Sequence, residues 1–236
     1  MNPYQKLQNR KRTWTPVQTT AGTLKEGAEE TIYRALAMRH MELPVGSFIQ
    51  DALGEIPALS ADLLKSNVKD EENHDLALGY IANALGVDET AEAEAKRLRD
   101  AWTAHPDHTV LKALVAERAI FFVLLPFFRF NGDAGLRTVS ADISRDEQVH
   151  VAANSLVCRE LGLSISPSLD KLRKATINWV MTPLKASTDK YLDKKFWLDA
   201  SDRLMYEGKA PELSDTKRAR MPAFFEHANP NLPQYA

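Results

Sequence analysis

The 236-residue sequence predicts an all-α protein: an antiparallel four-helix bundle with additional flanking C-terminal helices. Gly and Pro are sparse between residues 23 and 161, and the alternation of β-branched residues that marks a half-buried strand is nearly absent there. With 44% hydrophobic and 26% charged residues, the chain supports one sizeable core rather than two independent ones.

The punctuation divides the chain in order. A long helix is expected from Thr23 to Leu53, closed by the stretch GEIPALS. Ser60 then caps a second helix that runs to Leu85 and stops at Gly86. Asp88 opens a shorter connecting helix whose acids come early and bases late, as the helix dipole favours. Pro106 and Asp107 read as the start of a third long helix through Phe130, which assigns His105 and His108 to capping rather than metal binding. The turn NGDAG leads to a fourth helix from Leu136 to Leu161, before Gly162. Two more helices follow, Ser166 to Met181 and Ser187 to Glu207, separated by Pro183 and ended by Gly208. Pro44 and Pro126 fall inside expected helices and should distort them.

The resulting organisation is a flexible N-terminal arm at 1–22, a helical domain at 23–208 and an extended tail at 209–236. The arm is basic, with no acid before Glu26. A net charge of −2 exerts no overall pull toward nucleic acid or anionic membrane. The most apolar run, Ala119 to Phe130, is too short to span a bilayer. Neither nucleic acid nor membrane is therefore expected as a partner. The single cysteine, Cys158, suits a reducing compartment, and a cytoplasmic location is expected. Trp14, Trp102, Trp179 and Trp197 show no pattern beyond core anchors or an oligomer surface.

One phrase is written twice. Asp70, Glu71 and His74 form Asp-Glu-x-x-His, and so do Asp146, Glu147 and His150. On a helix, residues i and i+3 share a face, so each Glu and His can aim an oxygen and a nitrogen at one point. Two such pairs on separate bundle helices, plus one Glu from each of the other two, compose a di-metal carboxylate site. In an antiparallel hairpin, residues at equal depth lie equally far from the turn. Glu71 is fourteen residues past Pro57, which asks for a partner near residue 43, where Glu42 stands. Glu147 is fifteen residues past Gly132, which asks for one near 117, where Glu117 stands. Both pairs then lie roughly 20 Å from their turns, whereas Glu29 and Glu30 would lie roughly 40 Å away.

The metal ligands expected are thus Glu42, Glu71, His74, Glu117, Glu147 and His150. Asp70 is placed to reach His150, and Asp146 to reach His74, each accepting the imidazole N–H that faces away from a metal. This oxygen-rich set suits iron or manganese rather than copper or structural zinc. Phe121, one turn beyond Glu117 and with Leu124 and Leu125 near it, is expected to face the metals as part of a catalytic pocket wall.

These residues resemble the ferritin-like di-iron carboxylate superfamily, above all the small, radical-generating subunit of class I ribonucleotide reductase. The segments ERAIFFVLLPFFRF (117–130) and SADISRDEQVH (140–150) are similar to that family's third- and fourth-helix ligand segments, and the likeness covers roughly residues 113–162. The doubled motif is also similar to bacterial multicomponent monooxygenases and, more loosely, to aldehyde-deformylating oxygenases. The resemblance implies a buried Fe/Fe or Mn/Fe centre that activates dioxygen, a homodimer, and a large catalytic subunit or an electron donor as partner, with the C-terminal tail docking on a large subunit.

In two respects the sequence departs from the reductase pattern. The chain is much shorter than the usual small subunit, and Leu78 stands where that family's radical-bearing tyrosine is expected. Tyr80 and Tyr33 are each nine residues from a ligand Glu, on the opposite helix face. Three readings stay open: a radical generator, a stand-alone oxygenase or desaturase on a small organic molecule, and an iron-handling protein.

Overall fold

The structure is a computed structural model that describes residues 2–213. Ten α-helices follow in order: α1 (Pro3–Gln8), α2 (Glu29–Ala37), α3 (Glu42–Ala52), α4 (Ala61–Leu85), α5 (Glu89–Ala104), α6 (Thr109–Ala116), α7 (Phe122–Asn131), α8 (Ala134–Glu160), α9 (Pro167–Met181) and α10 (Lys194–Tyr206). Among the described residues the only β pairing is an isolated bridge between Lys185 and Asp193.

Helices α3 and α4 pack as one antiparallel hairpin, and α6–α7 with α8 as the other. Contacts of α4 with α8 and of α3 with α6 close the bundle, while α9 and α10 flank it against the α6–α7 side. Val45, Ile49, Leu64, Ile81, Leu124 and Ile143 are among the buried apolar residues that the four helices contribute.

Several expected boundaries hold. Asp88 accepts the Ala91 N–H at 2.8 Å, and Ser166 Oγ accepts that of Leu169 at 3.1 Å. Gly86 ends α4 with φ +86°, a backbone conformation that favours glycine.

Others differ. The long first helix is two helices joined by a 3₁₀ turn, Met38–Met41, and it begins at Glu29 rather than Thr23. Pro44 supplies the physical reason. It has no N–H for the carbonyl of His40, and its ring would crowd that carbonyl in a continuous helix. Restarting at Glu42 puts Pro44 in a first turn, where the missing N–H is no loss.

Ser60 is not a side-chain cap: its hydroxyl donates to the Pro57 carbonyl at 2.7 Å, and a 3₁₀ turn, Ala58–Ser60, leads into α4. The third helix is capped by His108, whose Nδ1 accepts the Val110 N–H, while Asp107 accepts the N–H of Ser166. That helix is interrupted by a π turn, Glu117–Phe121, one turn upstream of Pro126. The last helix starts at Lys194, capped by Asp193, instead of Ser187.

The segment expected as a flexible arm is laid along the bundle. Pro3 at the first helical position and a capping box on Asn2 start α1, which buries Tyr4 and Leu7 against α8 and α4. Tyr4 Oη donates to Glu160 at 2.7 Å. A six-residue helix has too few internal bonds to persist alone, so this docking holds it. Of the tail expected at 209–236, residues 214–236 lie outside the described residues.

Gly132 forms the α7–α8 corner that sets the heights of Glu117 and Glu147. A Cβ there would lie 2.5 Å from the Phe128 carbonyl oxygen and 2.7 Å from Leu136 Cβ. Gly132→Ala is therefore expected to destabilise the protein by roughly 1–3 kcal/mol, read as a lower denaturant midpoint at unchanged slope. An unchanged midpoint would show that the corner relaxes freely.

Candidate metal centre

The bundle brings all six expected ligands to one buried place. Glu42 opens α3, Glu71 and His74 lie on α4, Glu117 opens the π turn, and Glu147 and His150 lie on α8. None is more than 1% exposed. Their donor atoms form two overlapping groups, Glu42, Glu71, His74 and Glu147, and Glu71, Glu117 and His150; within each, the ligand atoms lie within 4.8 Å of one another.

Nδ1 of His74 is 3.3 Å from Glu71 Oε2 and 3.6 Å from both Glu42 Oε2 and Glu147 Oε1. Nδ1 of His150 is 3.0 Å from Glu71 Oε1, 3.7 Å from Glu117 Oε1 and 3.9 Å from Glu147 Oε2. The two imidazoles are stacked, with centroids 5.7 Å apart.

Seven of these buried atoms lack a hydrogen-bond partner: Glu42 Oε2, both oxygens of Glu71 and of Glu147, and Nδ1 of each imidazole. An unsatisfied buried polar group costs about 1–3 kcal/mol. Seven converging on one point would be untenable unless cations or protons satisfy them. The donors, mostly hard carboxylate oxygens, fit two hard metal ions.

The outward imidazole nitrogens are held as the sequence anticipates. Nε2 of His74 lies 3.2 Å from Asp146 Oδ2, and Nε2 of His150 lies 2.9 Å from Asp70 Oδ2. Each aspartate is placed to accept the Nε2 proton of the imidazole on the opposite hairpin, an arrangement that turns Nδ1 toward the centre.

Electrostatics follow from crowding. Burial pushes Glu42 and Glu117 up to about 8, and burial together with Glu71 and Glu117 raises Glu147 well above the carboxylate range. Burial opposes charge on His74 and His150. The hydrogen bond to Asp146 and the facing glutamates outweigh it for His74, Glu71 and Asp70 do so for His150, and both imidazoles rise. Burial likewise opposes charge on Glu71, but both imidazoles flank it and hold it below the ordinary range. Without metal, protons thus fill the centre.

Three contributors escaped the sequence reading. Asn154 Nδ2 donates to Glu117 Oε2 at 2.7 Å; it lies four residues after His150 on the same helix face, a spacing that could have found it. Trp14 Nε1 donates to Asp146 Oδ2 at 2.6 Å, and its ring stacks 6.2 Å from that of His74. Lys11 makes an ion pair with Asp70 and donates to Ser66 and Asn67. The arm therefore secures both outer aspartates, a pairing that no periodicity in the sequence announces.

Phe121 ends the π turn and is buried, as are Leu124 and Leu125. Leu78 is buried too, and the Tyr33 hydroxyl turns instead to the Leu85 carbonyl. His105 faces Ser168, outside the cluster.

Asp146→Ala is expected to weaken metal binding by about 10–100-fold, measured by competition with a chromogenic chelator. Trp14→Phe, which keeps the carboxylate, should lose less. Equal affinities for the parent and Asp146→Ala would remove the orienting role.

No family model matches the chain, and no curated protein matches it. It is similar to the solved structure of a protein from Bacillus halodurans, provisionally described as a class I ribonucleotide reductase. The TM-score is 0.58 at 14% identity, over 97% of this chain and 95% of that one. No helix among the described residues is long and apolar enough to cross a membrane. The shared architecture makes this an all-α chain with a ferritin-like fold, and that fold buries the carboxylate–imidazole cluster.

Proposed function

We propose that this protein is a di-metal carboxylate oxidoreductase that holds Fe/Fe or Mn/Fe and activates dioxygen as a radical generator similar to a ribonucleotide reductase small subunit. The convergence of seven unpartnered buried donor atoms in two groups that share Glu71 carries the proposal. Glu42, Glu71, His74 and Glu147 would hold one ion, and Glu71, Glu117 and His150 the other. Such ions, when bound, supply the electrons that reduce dioxygen. Asp70 and Asp146 orient the imidazoles, and Phe121 with Leu124 and Leu125 keeps water from the catalytic pocket. The Trp14 indole, in hydrogen-bonded line with Asp146 and His74, gives an oxidisable ring a connection to the centre, which favours a radical-generating role. A cytoplasmic homodimer working with a large catalytic subunit or an electron donor completes this reading.

A second reading has its own support. Leu78, buried and redox-inert, stands where the resemblance expects tyrosine, which favours an oxygenase or desaturase that acts directly on a small organic substrate.

The test loads the protein anaerobically with Fe(II), or with Mn(II) plus Fe(II), and follows metal content, visible absorption and EPR after dioxygen is added. A signal that persists without substrate supports the radical generator. Rapid oxidation to an EPR-silent protein supports the second reading, and failure to take up two metals sinks both.

A further inference from the structure

A cavity of about 450 Å³ opens beside the metal centre but outside it, between the segment that follows α1, the end of α7 and the middle of α8. Among the described residues its lining includes Arg10, Lys11, Arg12, Arg129 and Arg145, and one acid, Asp146. Asp146 is already committed to the Trp14 indole and His74, and Lys11 to Asp70. Arg10, Arg12 and Arg145 present three further guanidinium groups around the concavity. Arg129 is buried, whereas Arg10, Arg12 and Arg145 are exposed. Arg145 meets Asp142 at 3.1 Å in a partly exposed pair, which contributes little and can be exchanged for a better partner. Among the described residues neither Arg10 nor Arg12 has a carboxylate partner.

We propose that this cavity binds a small phosphorylated molecule. A concavity lined mainly by one sign of charge focuses the field and concentrates counter-ions. Guanidinium forks match phosphate oxygens in pairs, which a lone ammonium cannot do. The volume is that of a small-molecule pocket, and the arm that forms one wall also orders Asp70 and Asp146. The assignment does not depend on the chemistry of the metal centre.

Inorganic pyrophosphate and inorganic phosphate are the probes, titrated calorimetrically into the full chain at constant ionic strength. Saturable one-to-one binding of pyrophosphate is expected, weakened at least about tenfold in Arg10→Glu/Arg12→Glu. Arg145→Glu, on a different element, should weaken it in the same direction. All three positions are exposed, and helicity by circular dichroism checks folding. Absence of saturable binding, or binding equal in parent and variants, would overturn the proposal. Vesicles of phosphatidylcholine with phosphatidic acid separate a free phosphate from a lipid headgroup, and vesicle capture without a pyrophosphate response would overturn the small-molecule assignment.

Discussion

Glu71→Ala is expected to empty both metal positions at once, whereas Glu42→Ala and Glu117→Ala each empty one. Glu71 alone belongs to both donor groups, with one oxygen 3.0 Å from Nδ1 of His150 and the other 3.3 Å from Nδ1 of His74. Loss of a carboxylate from a site whose ligands must all be deprotonated removes charge as well as a donor. The expected content is about two metals per chain for the parent, below about half for Glu71→Ala and about one for each single-group variant. Glu72→Ala, next to Glu71 on α4 but exposed, is the matched control and should keep two. Metal analysis after gel filtration reads the outcome; two metals in Glu71→Ala would refute the shared-ligand arrangement.

Metal loading should also reverse the pH dependence of stability. An ion that binds only the folded chain at about a thousand times its Kd adds about 4 kcal/mol, or roughly 8–16 °C in Tm for a chain of this size. In the metal-free protein, Glu42 and Glu117 titrate at about 8 and Glu147 is also raised, against 4.5 when unfolded. Between those values the folded state binds more protons than the unfolded one, so stability falls as pH rises. The raised imidazoles act in the same direction: their contribution is complete below 6.5 and lost as pH climbs through their folded values. Glu71 is depressed, so its contribution is lost only on acidification below about 4.5. Metal binding must expel the extra protons, and apparent affinity should therefore increase up to about pH 8. Thermal scans from pH 5.5 to 8 should show the metal-free Tm falling and the gap to the loaded protein widening. A flat metal-free Tm across that range would contradict the proton-filled centre.

Helix interruptions show where sequence reading stops. Pro44 and Pro126 were both expected to distort their helices, and both lie near breaks. At Pro44 the chain restarts a helix at Glu42; near Pro126 it widens into a π turn that begins at Glu117. A proline leaves the carbonyl four residues before it without a donor, and packing against neighbouring helices decides how the backbone adjusts around it. The same holds for caps. The helix starts at Asp88 and Ser166 fall where expected because capping is local, whereas Asp107 is drawn away by the N–H of Ser166, 59 residues later.

By itself the sequence determined the all-α class, the six residues that converge and the crosswise pairing of Asp70 with His150 and Asp146 with His74. Ligand spacing on a helix is a local periodicity, and height in an antiparallel hairpin is counted from its turn. Only the tertiary structure decided that Lys11 and Trp14 secure those aspartates and that the arm walls a basic cavity. Trp14 and Asp146 are 132 residues apart. Their meeting follows from the burial of Tyr4 and Leu7 against the bundle, a matter of surface fit that leaves no repeat or spacing in the chain.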